Sequence, residues 1–253
     1  MNTLHLTLVP RDTMTSRFLN VVLFGETGSG KSAVINLLAG KTVAPTSSDI
    51  DGCTKVNQAY PLVINGVSYT IWDTVGLEQP VMGDVGHLNA IEQVCELIRD
   101  LSKTSGINLF LFCHRRGRIT TTAQRNYVLL YEAVCRKSVP LAVVVTHLEQ
   151  EERMEDWWDQ NAVIFEQRGI EVFGHACVTT LAVDPKSQES KETLERLLGR
   201  HDSNGRYRMS TVKPAEVKET DLVKVLGKRC GLREYHASRI AQILAGADRT
   251  ELT

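Results

Sequence analysis

The residues with the clearest capacity for chemistry lie in one stretch, Gly25-Glu26-Thr27-Gly28-Ser29-Gly30-Lys31-Ser32. Its spacing, G-x-x-x-x-G-K-[ST], belongs to a loop that wraps a polyphosphate, and it stands between an apolar run and an amphipathic one, as that task requires. Gly28 and Gly30 let the main chain curl without side-chain interference, so successive N–H groups and a helix N-terminus point at negative charge. Lys31 adds a point charge for the β- and γ-phosphates, and the Ser32 hydroxyl suits Mg²⁺. The expected nucleotide contacts are Glu26, Thr27, Gly28, Ser29, Gly30, Lys31, Ser32 and Ala33.

A Mg²⁺ ion held there needs a further carboxylate, and a terminal phosphate needs an amide that senses it. Asp73-Thr74-Val75-Gly76 supplies both directly after a candidate strand, with Asp73 toward the metal and the Gly76 N–H toward the γ-phosphate. As a pattern D-x-x-G is weak alone; its place after the phosphate loop makes it specific. Between the motifs a hydroxyl is expected to close over metal and phosphate, and Thr54, just before the next strand, is the candidate. The expected metal ligands are therefore Ser32, Thr54 and Asp73. Lys31, Thr54 and Gly76 are the residues expected to act on the transferred phosphoryl group. Where a glutamine that orients water could follow Gly76, the chain has Leu77, which predicts slow unaided hydrolysis. Glu78 and Gln79 stay open as alternatives.

A guanine site needs a carboxylate to accept from the base's N1–H and exocyclic amine, and a side chain over the base plane. Thr146-His147-Leu148-Glu149 ends an apolar strand, so Glu149 can be the acceptor and His147 the cover, with Thr146 beside them. A second reading of Glu149 is that it opens the acidic run 149–152 and caps the following helix.

These motifs need a scaffold, and the chain alternates strand and helix signals from Phe18 to Gly199, the pattern of a mostly parallel sheet with helices on both faces. Strands are expected at 18–24, 56–64, 67–72, 107–113, 141–145 and 172–178. Helices are expected at 31–39, 88–101, 122–136, 154–167 and 189–198. Asn65-Gly66 supplies the two positive φ angles of a tight hairpin, placing one antiparallel pair in the sheet. The polar stretch 41–55 reads as a loop. Residues 1–17 form an N-terminal extension, 18–200 the nucleotide domain, 201–220 a polar linker and 221–253 two short amphipathic helices parted near Gly231. Their apolar residues, Leu222, Val225, Leu226, Leu232, Tyr235, Ile240, Ile243 and Leu244, must meet either the main domain or a partner, and the main domain is expected.

Composition narrows the classes further. A net charge of −1 gives no global basic field, which argues against nucleic-acid binding through summed charge. No window approaches the ~18 apolar residues of a membrane span. The first twenty residues, broken by Pro10, Arg11, Asp12 and Arg17, lack a signal-peptide run. Six cysteines without a C-x-x-C pair read as core residues of a reduced, cytoplasmic protein.

The run Val22 to Ser32, Cys53-Thr54, Asp73 to Leu77, Arg118-Ile119-Thr120 and Thr146 to Glu149 together resemble the GIMAP (immune-associated nucleotide-binding) GTPases, with the related septins and chloroplast-import receptor GTPases. The resemblance covers about residues 18–200. It implies an α/β P-loop NTPase three-layer sandwich that binds GTP or GDP with Mg²⁺, hydrolyses GTP slowly and forms a nucleotide-dependent homodimer across the nucleotide face. Arg115, Arg116 and Arg118 could then serve a partner in trans, against the simpler reading of a solvated basic loop. Residues 178–182 match the last base-contacting loop of that family only loosely. A P-loop phosphotransferase or ATPase, and a pseudoenzyme whose nucleotide orders an interaction surface, are the alternatives.

Overall fold

The computed structural model describes residues 18–46, 56–78, 85–199 and 219–246. Six strands form one sheet: β1 (Leu19–Phe24), β2 (Gln58–Ile64), β3 (Val67–Asp73), β4 (Leu109–Arg115), β5 (Leu141–Thr146) and β6 (Gly174–Cys177). Their order is β2-β3-β1-β4-β5-β6, parallel throughout except for β2 against β3. The apolar runs of β1, β4 and β5 leave no polar face, so these strands must lie inside the sheet with both sides covered. Pro61 lacks an N–H for a ladder and accordingly sits in β2, at the sheet edge. The hairpin joining β2 to β3 turns through Asn65 and Gly66, both at positive φ (50° and 78°).

Alternate residues of the strands feed two cores. Val21, Leu23, Leu109, Leu111 and Val144 pack with α1 (Lys31–Ala39) and α5 (Ser187–Leu198). Val22, Phe24, Phe110, Phe112 and Val143 pack on the other side with α2 (Val85–Lys103), α3 (Thr121–Tyr127) and α4 (Met154–Gln167). This three-layer α/β sandwich is the expected one. Five of the six cysteines, Cys95, Cys113, Cys135, Cys177 and Cys230, are buried free thiols. Cys53 lies outside the described residues.

Where one helix was expected over 122–136, α3 gives way to a π-helix, Val128–Val134. The wider turn lets Leu129, Leu130, Tyr131, Ala133 and Val134 all be buried, more than one stripe of an α-helix can turn inward. Strand β4 runs two residues later than its apolar run predicts, because pairing with β5 continues through Arg115 opposite Thr146. The C-terminal helices α6 (Glu219–Cys230) and α7 (Glu234–Ala245) lie against the main domain, α6 on the π-helix and α7 on α2. Leu222, Leu226, Ile240 and Ile243 join the larger core and Val225, Leu232 and Leu244 pack against it, whereas Tyr235, in the first turn of α7, is 65% exposed and does not face the domain. Helix α6 begins within the stretch expected to be linker. Among the described residues no helix is long and apolar enough to cross a membrane.

Candidate functional site

Strand β1 delivers the chain to Gly25, and the loop then turns through Gly28 and Gly30 at φ 73° and 86°, conformations an L side chain rarely adopts. Gly30 caps α1, with the Val34 N–H bonded to its carbonyl at 2.9 Å. The first turn of α1 and the loop amides thus present a concentrated positive end. Lys31 is buried and folds back over the loop, donating from Nζ to Glu26 O at 3.1 Å and to Gly25 O at 3.3 Å. Burial pushes its ammonium below the usual lysine range, and the neighbouring Asp73 carboxylate works against that shift.

Asp73 ends β3, two strands' width from the start of α1 in sequence but adjacent in space, because β3 pairs directly with β1. The Ser32 hydroxyl donates to Asp73 Oδ2 at 2.5 Å. A hydroxyl and a carboxylate in contact at a phosphate loop are the hard oxygen donors that suit Mg²⁺, which keeps most of its remaining coordination for water and phosphate oxygens. Among the described residues no group of three or more His, Cys, Asp or Glu forms a separate metal cage.

The loop after β3 is tied down at four points. Thr74 Oγ1 donates to Leu23 O at 2.7 Å, the Val75 N–H to Asn57 Oδ1 at 3.3 Å, the Leu77 N–H to Gly25 O at 3.1 Å, and Asn126 Nδ2 to Leu77 O at 2.9 Å. Gly76 is pressed against the phosphate loop: a Cβ there would stand 2.2 Å from Thr27 Oγ1 and 2.8 Å from Thr27 Cα. The Leu77 side chain is fully buried in the core, so nothing at that position reaches the loop to hold a water. Thr54 lies outside the described residues.

On the base side, Thr146 ends β5 and donates from Oγ1 to Ser29 O at 3.0 Å. His147 follows at φ 63°, with Nδ1 2.9 Å from Thr146 Oγ1. With the hydroxyl proton directed at Ser29, the imidazole donates through Nδ1 and Nε2 remains an acceptor. Burial lowers the His147 pKa, the charge of Arg115 lowers it further, and Glu149 opposes both. Glu149 Oε2 is buried without a hydrogen-bond partner among the described residues. Such an acceptor is costly to leave unmet, which suits it to receive a ligand's N–H. It does not cap the next helix: α4 starts at Met154 from Arg153, which makes no side-chain capping bond.

Lys31, Ser32, Asp73 and Gly76 therefore meet at the phosphate loop, and Thr146, His147 and Glu149 stand beside it. Three supporting residues were not foreseen. Thr120 caps α3 by accepting from the Ala123 N–H at 2.9 Å and donates to Glu26 Oε1 at 2.9 Å. Burial raises the Glu26 pKa and this bond opposes the rise. Asn57 and Asn126 hold the 74–77 loop; buried Asn126, polar on a helix face that otherwise joins the core, was the available signal for the latter. Arg116 pairs with Glu151 at 2.7 Å, while Arg115 and Arg118 are exposed near His147. Trp157 is buried in the core, and Trp158 lies parallel to His175 with centroids 4.3 Å apart.

A family model described as 50S ribosome-binding GTPase matches residues 20–147. The Translocase of chloroplast 34 homolog of Chlamydomonas reinhardtii is 32% identical over 105 residues, 38% of this chain and 25% of that protein. Immune-associated nucleotide-binding protein 3 of Arabidopsis thaliana is 46% identical over 59 residues, 23% of this chain and 18% of that protein. The matched segments thus span about a quarter or less of these curated relatives. Among solved structures, Toc33 from Arabidopsis thaliana in complex with GDP and Mg²⁺ superposes with a TM-score of 0.53 at 19% identity, covering 76% of this chain and 86% of that one. Era in complex with MgGDPNP and a 16S ribosomal RNA segment gives a TM-score of 0.57 at 16% identity over 71% and 56%. At these identities the likeness is one of fold.

Proposed function

Because the chain belongs to the 50S ribosome-binding GTPase family, with a G domain like those of the immune-associated and chloroplast-import GTPases, we propose that it is a slow, Mg²⁺-dependent GTPase working as a switch or assembly module, its hydrolysis stimulated by a second copy. The observation that carries this is the meeting of Lys31, Ser32 and Asp73 under a loop of amides, with buried Leu77 where a water-orienting side chain would stand.

In this reading the loop amides and Lys31 bind the phosphates. Ser32 and Asp73 hold Mg²⁺, with Thr54 completing the set in the triphosphate state. When bound, the ion neutralises charge developing on the β- and γ-oxygens. The Gly76 N–H reports on the γ-phosphate, since any change at Gly76 is felt at Thr27 and along a loop anchored to Gly25. Glu149 accepts from guanine, and neutral His147 covers the base. Residues 18–200 serve as the GTP-handling unit, with α6 and α7 seated on it. Five buried, unbridged thiols support a reducing, cytoplasmic setting.

Support for dimer stimulation comes from the exposed Arg115 and Arg118 near the base side. An arginine-to-alanine variant of Toc33 is described as dimerization deficient. Phosphate release from GTP, followed while protein concentration is raised, tests the proposal: the specific rate should climb with concentration. A specific rate that stays flat sinks the dimer. Tighter ATP than GTP binding in the same buffer sinks the assignment of Glu149.

A further inference from the structure

Beside the nucleotide loops a second feature goes beyond the GTPase reading. A cleft of about 840 Å³ opens between the end of β4, the 147–150 turn and α4. That volume lies within the range of about 300–1,000 Å³ usual for ligand sites. Its rim carries Arg115, Arg118 and Arg168, three exposed guanidinium groups that form no ion pair among the described residues. Its wall on α4 is largely apolar: Trp157 and Phe165 form the buried floor, Ile164 stands 41% exposed above them, and Asn161 is the one polar side chain that α4 adds to the lining.

Arginine's planar fork matches carboxylates and phosphates alike, so the apolar wall decides between ligands. A single-stranded nucleic acid would need a row of exposed aromatic faces on which bases stack, yet Trp157 and Phe165 are buried and the half-buried ring of His147 is assigned to the nucleotide's own base. A peptide with carboxylates flanking one apolar side chain satisfies both parts of the cleft.

We propose that this cleft docks an acidic peptide segment of a partner protein, with Arg115, Arg118 and Arg168 taking its carboxylates and the wall at Ile164 taking an apolar side chain between them. Because His147 and Glu149 also line the cleft, and Arg115 and Arg118 are the groups offered above to a second copy, the peptide and the second copy compete for one face beside the base.

The test uses fluorescence anisotropy of a fluorescein-labelled peptide, Asp-Glu-Asp-Leu-Glu-Asp-Glu, on GDP-loaded protein at low and physiological salt. Saturable binding is expected, weakened by salt and reduced at least about tenfold by either Arg168→Glu or Ile164→Ser. Both positions lie outside the nucleotide machinery, so GDP affinity measured on the same samples should stay unchanged, which separates this proposal from the GTPase assignment. Replacing the peptide's leucine by serine should also weaken binding. Equal binding of a lysine-rich peptide, or wild-type affinity in both variants, would overturn the proposal. So would tighter binding of a uridine oligonucleotide of equal length, or of phosphatidylserine vesicles, because the cleft would then serve a phosphate surface.

Discussion

Thr146 and Ser29 are 117 residues apart in sequence, yet the hydroxyl of the first bonds the carbonyl of the second at 3.0 Å. The threonine methyl also crowds Gly30, where an added Cβ would meet it at 3.0 Å. The phosphate loop and the candidate base loop therefore move as one body. Thr146→Val keeps the shape and removes the hydrogen bond, leaving a buried carbonyl at a cost of about 1–3 kcal/mol. Thermal melting should show that loss, and titration with fluorescent GDP should show weakening of about fivefold or more. Unchanged GDP affinity would mean that the two loops are independent.

Lys31 is held in an unfavourable place for a charge. Its ammonium is buried, and desolvation pulls its pKa down. Lys31→Met should weaken GDP binding by about 100-fold, about 2.7 kcal/mol, through loss of a charge-assisted contact. The nucleotide-free protein should melt no lower than wild type, because a desolvated cation has been replaced by an apolar chain of similar length. Calorimetric titration and nucleotide-free melting check the two halves separately.

Gly76 is constrained by space and Gly28 by backbone angle. Gly76→Ala drives a methyl into Thr27 and should cost about 1–3 kcal/mol while erasing discrimination between GTP and GDP. Gly28→Ala meets nothing within 4 Å but must hold φ 73°, a strain of about 1–2 kcal/mol. Comparing GTP-analogue and GDP affinities for the two variants distinguishes lost sensing from general strain.

Helix α7 is fastened to α2 through Arg239, whose Nε donates to the buried carboxylate of Glu92. Arg239→Met should destabilise the fold by about 2–4 kcal/mol, less than a fully buried pair because the guanidinium is partly solvated. Adding Glu92→Gln should recover much of that loss. Urea unfolding gives the energies, and amide exchange in 234–245 shows whether the helix detaches locally.

Acid should destabilise this protein from the neutral side. His114, His147 and His236 are all held below the ordinary histidine value of 6.5, each chiefly by burial. As pH falls through 6.5 the unfolded chain takes up protons that these folded imidazoles refuse, so stability declines until the lowered folded values are reached. His114 packs edge-on to Phe165 and donates from Nε2 to Gly117 O at 3.4 Å, contacts that favour one neutral tautomer. His114→Gln should flatten part of the decline between neutral and mildly acid pH, read as melting temperature at fixed salt. An equally steep decline in the variant would assign the effect elsewhere.

The sequence by itself determined the phosphate loop, the strand and helix that flank it, and the carboxylate and glycine after β3. These are encoded in consecutive residue types whose backbone preferences and apolar periods act locally, and so the elements around Lys31 and Asp73 fall where their patterns predict. Only the tertiary structure decided that Ser32 touches Asp73, that Thr120 holds Glu26, that Gly76 has no room beside Thr27, and that Glu149 keeps a buried oxygen instead of capping α4. Those relations join residues 41, 94 and 49 positions apart in the first three cases, and they depend on strand register and layer packing, which residue types do not specify one segment at a time. The π-helix and the seating of α6 and α7 belong with them: an apolar stripe states that something must cover it, and the shape of the surface opposite decides what does.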